Sequence, residues 1–106
     1  MTTLGRSIKH RAQLMATQPI PQQEPLEQAL VHLVRERLLE TPPDFDADSN
    51  LYHSGLDSMA IMQLLILIEE EYGVALPEAD LTRLNFSTVR GVAGLIRARA
   101  AALAEG

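Results

Sequence analysis

Gly55-Leu56-Asp57-Ser58-Met59-Ala60-Ile61-Met62-Gln63-Leu64-Leu65-Ile66-Leu67-Ile68-Glu69-Glu70-Glu71-Tyr72-Gly73 decides how this chain is read. A glycine and an acid precede a serine, and the serine opens an apolar run that ends at a second glycine. Ile61, Leu64, Leu65, Ile68 and Tyr72 follow the spacing of one helical face, which predicts a helix over 58–72 with a clean core side. Met59, Met62 and Ile66 fall on the other side. A helix apolar on both faces is either buried all round or presents a stripe to a partner. Burial all round is hard in a domain this small, and methionine suits a surface that must fit several partners. The stripe is therefore read as partner-facing. Gly55 frees the backbone for a sharp turn before the helix, and Gly73 supplies its stop.

On the N-terminal side, Leu26, Leu30, Leu33, Val34 and Leu38 recur at helical spacing and predict a first helix over 25–40. Pro25 suits its first turn, and Thr41-Pro42-Pro43 stops it. The loop that follows, 42–57, is long for a compact domain, and such loops are functional or anchored. Leu51 and Tyr52 are its expected anchors. On the C-terminal side, residues 77–85 read as a loop with one short helical turn. Phe86-Ser87-Thr88-Val89 reads as an apolar lead-in, an N-cap serine and a helix start. The last helix turns Val89, Val92, Ala93, Ile96 and Leu103 inward, and its alanine-rich end covers 98–104. The predicted fold is all-α: a small four-helix bundle of three longer helices and one short one. Pro19, Pro21 and Pro25 mark a linker. The chain is accordingly divided into a flexible N-terminal arm, 1–24, and a domain, 25–104.

The 106 residues carry a net charge of −5, unevenly spread. Residues 1–23 hold Arg6, Lys9 and Arg11 and no acid, whereas 24–106 hold 14 acids and 6 bases. An acidic domain argues against nucleic acid and favours partners with basic surfaces. The absence of cysteine excludes disulfides, thiolate metal sites and any thiol chemistry of the chain's own. No apolar run approaches the roughly 20 residues of a membrane span, and 1–24 lacks a leader-like apolar stretch. The expected setting is the cytoplasm, and the expected state a monomer.

Ser58 is the leading candidate for chemistry. A hydroxyl at a helix start sits where unpaired N–H groups and the helix dipole stabilise an anion, so a phosphodiester there is well placed. Other constellations read as ordinary. Asp44-x-Asp46-x-Asp48-x-Asn50 imitates half a calcium loop, but Ser49 replaces the glycine at position 6 and Gly55 the glutamate at position 12. His53, Asp57 and Ser58 lie within six residues, without the elbow that a hydrolytic triad needs. His10 and His32 stand alone, so no metal site is expected. Glu69-Glu70-Glu71 is a solvated helix end.

Four features coincide: the Leu51-x-x-x-Gly55-x-Asp57-Ser58 spacing, the two-sided helix after it, its Glu-Glu-Glu-Tyr-Gly terminus, and Phe86-Ser87-Thr88-Val89. Together they resemble acyl and peptidyl carrier proteins, over about residues 25–100. The resemblance implies a four-helix bundle with a long first loop and a short third helix. It implies that Ser58 bears 4′-phosphopantetheine, moved from coenzyme A by a phosphopantetheinyl transferase, with Asp57 as the acid before the serine. The chain would then carry a thioester and would not itself be an enzyme. Partners would dock along Leu56, Asp57, Met59, Met62, Gln63 and Ile66. Fatty-acid carriers usually place acids two and five positions after the serine, where this chain has Ala60 and Gln63. Asp57-Ser58-Met59 with Met62-Gln63-Leu64-Leu65 is more similar to D-alanyl and stand-alone aminoacyl carriers. That similarity implies an adenylating ligase that loads an amino acid and an acceptor enzyme downstream. The proline-rich arm and alanine-rich tail depart from the D-alanyl carriers. Two other readings stand beside this one: a fatty-acid or polyketide-type cargo, and a non-modified helical interaction module that uses the same methionine stripe.

Overall fold

The computed structural model describes residues 19–105, and among these the regular elements are all helical. Most of the arm expected over 1–24 lies outside the described residues. Helix α1, Gln23–Leu33, begins two residues ahead of the predicted start, with Pro25 in its first turn, where no N–H is required. Leu26, Leu30 and Leu33 are buried along one face. The helix then widens into a π-turn, Val34–Leu38, closed by the Leu39 N–H on the Val34 carbonyl at 2.9 Å. Leu39 is already extended, so the helix predicted over 25–40 ends before Thr41-Pro42-Pro43 can act as its stop. Leu38 is only half-buried as a result of this change of phase.

Helix α2, Ser58–Tyr72, matches the predicted span. Ala60, Leu64, Leu67, Ile68 and Tyr72 are buried, while Ile61 and Leu65 are half-buried at the edge of the core. Gly73 ends the helix in the left-handed region at φ 68°, its N–H on the Glu69 carbonyl at 2.8 Å. Arg37 reaches Glu71 at 3.7 Å. Burial, with the Glu71 charge adding to it, pushes the Tyr72 phenol above its ordinary pKa.

The short helical turn expected within 77–85 is a single 3-10 turn, Glu78–Asp80. Thr82 and Asn85 explain why no longer helix forms there. The Asn85 N–H donates to Thr82 Oγ1 at 3.1 Å, and the Asn85 amide donates to the Asp80 carbonyl at 3.0 Å. Such local side-chain bonds compete with the helical ladder. Helix α3 is Val89–Glu105. Its cap falls one residue later than predicted: Thr88 Oγ1 accepts the Gly91 N–H at 3.1 Å, while the Ser87 hydroxyl donates to the Arg83 carbonyl at 2.8 Å. Val89, Val92, Ala93 and Ile96 are buried as expected, but Leu103 is 51% exposed and outside the core.

The 42–57 loop is part of the core. Leu51 is fully buried, and Phe45, Ala47 and Leu56 join it. Two backbone bonds pin the loop to the start of α3: Leu51 N–H to the Ser87 carbonyl at 2.7 Å, and Arg90 N–H to the Ala47 carbonyl at 2.9 Å. The Arg90 side chain adds a bidentate pair with Asp48, at 2.6 and 2.8 Å, and reaches the buried carboxylate of Glu27 at 3.3 Å. Gln23 donates to the same Glu27 oxygen at 2.6 Å. Arg90 therefore joins α1, the loop and α3. Its hydrogen bond, more than its charge, holds the Asp48 carboxyl below the usual carboxylate range, and Asp48 in turn raises the Arg90 pKa.

Candidate functional site: Ser58 beside an open cleft

The loop delivers Ser58 by a tight turn wound on its own anchor. Ser54 N–H and Leu56 N–H both bond the Leu51 carbonyl, at 3.0 Å each, and Gly55 N–H bonds the Tyr52 carbonyl at 3.1 Å. Gly55 takes φ 110°, a conformation that a side chain would strain, which accounts for a glycine at this position. Asp57 is then the cap of α2: its Oδ1 accepts the Ala60 N–H at 2.9 Å. Ser58 is the first helical residue, and its side chain is exposed. Among the described residues its hydroxyl has no intramolecular partner. The dull explanation of a serine at a helix start is capping. Here Asp57 performs that task, and the serine oxygen is left free for another.

A cleft of about 350 Å³ opens beside Ser58. Tyr52, Ile61 and Phe86 give it apolar surface, and Asp57, Thr82 and Arg83 give it polar surface, one acid facing one base. The Arg83 guanidinium lies 4.0 Å from the centroid of the Tyr52 ring. A chain without cysteine can hold a thioester only on a group that brings its own thiol. The residues present fit such a group: an exposed hydroxyl to attach it, a cleft to lie along and a cation nearby.

The expected partner face divides. Met59, Met62 and Ile66 are 75, 59 and 53% exposed, and Asp57 and Gln63 are exposed beside them. Leu56 is a correction: it is 4% exposed, packed into the core beneath the cleft, and offers a partner almost nothing. Sequence reading missed Leu84, exposed by 82% in the turn after Glu78–Asp80. It also missed the Arg83–Tyr52 pair, because nothing in local spacing announces a contact between residues 31 positions apart.

The competing constellations dissolve into local structure. Asp46 Oδ1 accepts the Asp48 N–H at 2.9 Å, Asn50 Oδ1 accepts the His53 N–H at 3.0 Å, and Asp48 is paired with Arg90. The acids of this loop thus organise turns. No group of three or more potential metal ligands occurs among the described residues. His10 lies outside the described residues; His53 is exposed and bonds Asn50 only through its backbone. No described helix is long and apolar enough to cross a membrane.

Comparison with known proteins adds a further set of findings. Residues 28–96 match a family model described as "Phosphopantetheine attachment site". The chain is 35% identical over 60 residues to an aminoacyl carrier protein of Agrobacterium fabrum, covering 56% of this chain and 72% of that one. It is 42% identical over 53 residues to the nonribosomal peptide synthetase-like enzyme fsqF of Aspergillus fumigatus, covering 50% of this chain and 4% of that protein. In three dimensions it resembles a chain from a Bradyrhizobium japonicum glycine:[carrier protein] ligase complexed with glycylated carrier protein. The TM-score is 0.51 at 22% identity, and the match covers 70% of this chain and 96% of that chain. That likeness speaks for the fold.

Proposed function

This chain belongs to the phosphopantetheine attachment family of carrier proteins, and from that premise we propose that Ser58 is the attachment residue and an amino acid the cargo. The family's prosthetic group is 4′-phosphopantetheine, and its members carry substrates rather than transform them. When bound, the group supplies a thiol that holds the cargo as a thioester.

One observation bears most of the weight for Ser58: Asp57 satisfies the helix end, so the adjacent serine hydroxyl is exposed and free. A phosphopantetheinyl transferase would join Ser58 Oγ to the phosphorus of the arm. The Ser58 Oγ–H bond is lost, the phosphoanhydride of coenzyme A breaks, adenosine 3′,5′-bisphosphate leaves, and the proton passes to the transferase. The free N–H groups of the first turn of α2 face the same end and favour the new negative charge.

Aminoacyl cargo is supported by the 35% identity to the Agrobacterium carrier and by Ala60 and Gln63 standing where fatty-acid carriers usually have acids. An adenylating ligase would load the arm and a downstream acceptor enzyme would unload it. Asp57, Met59, Met62, Gln63 and Ile66 form the face that the transferase and these enzymes read. Such contacts should be small, because a carrier must leave each partner. The reading sets the chain in the cytoplasm, where coenzyme A and ligases meet, as a monomer whose 3-10 turn stands in for the family's short helix. On this reading the carrier domain opens with helix α1 at Gln23 rather than at 25.

The test is intact mass after incubation with coenzyme A and a broad-specificity transferase. The wild type gains one phosphopantetheine and Ser58→Ala gains nothing while keeping its helical spectrum. Modification of Ser58→Ala would overturn the assignment. Loading the modified protein with amino acids against fatty acids then decides the cargo.

A further inference from the structure

Arg83 is the one arginine that lines the cleft beside Ser58. Among the described residues, Arg37 and Arg90 have carboxylate partners. Arg83 has none among the described residues; its contact is the Tyr52 ring, 4.0 Å from the guanidinium carbon. It has no carboxylate partner although residues 24–106 hold 14 acids and 6 bases. Guanidinium chemistry makes the arrangement informative. The flat face of the group stacks on an aromatic ring, whereas its N–H donors radiate in the plane of the group. The guanidinium sits over the Tyr52 ring, and its N–H donors have no hydrogen-bond partner among the described residues. The contact holds the group near the ring, so less rotamer freedom is lost when those donors find an acceptor.

We propose that Arg83, held over the Tyr52 ring, binds the phosphodiester of the arm carried on Ser58. The proposal rests on Ser58 being the attachment residue. A phosphodiester offers two unesterified oxygens that share one negative charge, and the guanidinium edge matches them with two parallel N–H···O bonds. The pair anchors the root of the arm at the cleft and lays its first segment along Tyr52 and Ile61. The thiol end stays free to enter a partner. Both groups are near solvent, so the interaction is worth only a few-fold in population and weakens with salt. That suits an arm which must lift away when an enzyme takes it.

The full chain, labelled with 15N and converted from apo to holo, tests this. Intact mass first establishes one arm on Ser58. The Arg83 Nε–Hε resonance is expected to move on conversion, while that of Arg97 stays in place. The 31P resonance of the holo protein is expected to move toward its urea-unfolded position in Arg83→Gln, less so in Arg83→Lys, and also in about 0.5 M salt. The corresponding loss of the bound arm is about three- to fivefold. A 31P signal identical in wild type and Arg83→Gln, with an unmoved Arg83 resonance and one arm on Ser58, overturns the role of Arg83 alone. Failure of Ser58 to take the arm overturns both readings, and the mass measurement separates the two cases. Should Arg83→Gln lose its fold, Arg83→Lys and the wild-type Nε–Hε resonance still decide.

Discussion

Asp57 has two separable roles, and substitution can split them. The structure makes it the cap of α2, with Oδ1 on the Ala60 N–H at 2.9 Å. The proposed function also makes its charge part of the face that the transferase reads. Asp57→Ala removes the bond and the charge together. An exposed cap is worth about 1 kcal/mol, and a negative charge at a helix start adds about 0.3–0.5 kcal/mol at low salt. Asp57→Ala should therefore cost about 1.5 kcal/mol. For a domain of this size that lowers the melting temperature by about 6–12 °C. Asp57→Asn keeps an oxygen for Ala60 and loses only the charge, so it should cost about 0.5 kcal/mol or less. Thermal melts followed by circular dichroism at 222 nm compare the two, and the residual cost of Asp57→Asn should shrink as salt is raised. Transferase kinetics on the same proteins give the second axis: Asp57→Asn should lose modification rate despite its near-normal stability. If Asp57→Asn melts as low as Asp57→Ala, the bond to Ala60 is not what holds the helix start. If it is modified as fast as wild type, the charge is not read.

Other substitutions probe the packing around the site. In Gly91→Ala the new methyl would lie 2.9 Å from the Asn85 carbonyl oxygen, so we expect a net loss of about 1 kcal/mol despite the gain in helix propensity. Gly94→Ala meets nothing within 4 Å and should instead stabilise by about 0.5–1 kcal/mol; a urea titration that ranks the two the other way contradicts the packing of α3 on the preceding turn. Met62→Glu, at a position 59% exposed, should change stability by less than about 0.5 kcal/mol while reducing loading by a cognate ligase about tenfold. Equal losses of folding and loading would place Met62 in the core. In acid, the Asp48–Arg90 link should open late. The folded-state pKa of Asp48 is depressed, so its contribution is present above the ordinary value of 3.8 and lost as pH falls through the lower folded value. Arg90 side-chain resonances report this, and a transition above pH 4 would contradict the pairing.

Helix α2 and its serine were legible because their signals are local. Ile68 and Tyr72 obey a period, Gly55 and Gly73 punctuate it, and Asp57-Ser58 marks the start. The loop was legible only through Leu51 and Tyr52. Phe45 and Ala47 obey no period, since what buries them is contact with elements that the local sequence does not name. The Arg90 link spans 42 residues to Asp48 and 63 to Glu27, beyond the reach of any window. At the end of α1, a π-turn adds one residue to the ladder without changing composition, so Leu38 looked like a fully buried position and lies at the edge of the core. Ser87 and Thr88 are chemically near-equivalent caps. Which of them serves was decided by the Arg83 carbonyl, which takes the Ser87 hydroxyl. Leu56 looked like surface because it adjoins Ser58, yet the turn at Gly55 folds it inward.

The two backbone bonds from the loop to the start of α3 bear on the order of assembly. Leu51 and Ala47 are held by Ser87 and Arg90, residues that come after the helix which the loop introduces. The loop's shape is thus written downstream of the serine it presents. Closing such a distant pairing costs entropy before any contact rewards it. Helix α2 can form early from its own periodicity, while the approach to Ser58 stays unsettled until the last helix arrives. In pulse-labelled hydrogen exchange during refolding, the Leu51 and Arg90 amides should gain protection together, and no sooner than the body of α3. Protection at Leu51 ahead of α3 would show that the loop finds its shape unaided. On this ordering, a substrate-ready serine is among the last features the fold completes, and any enzyme that requires the finished approach inspects the whole domain by touching one corner of it.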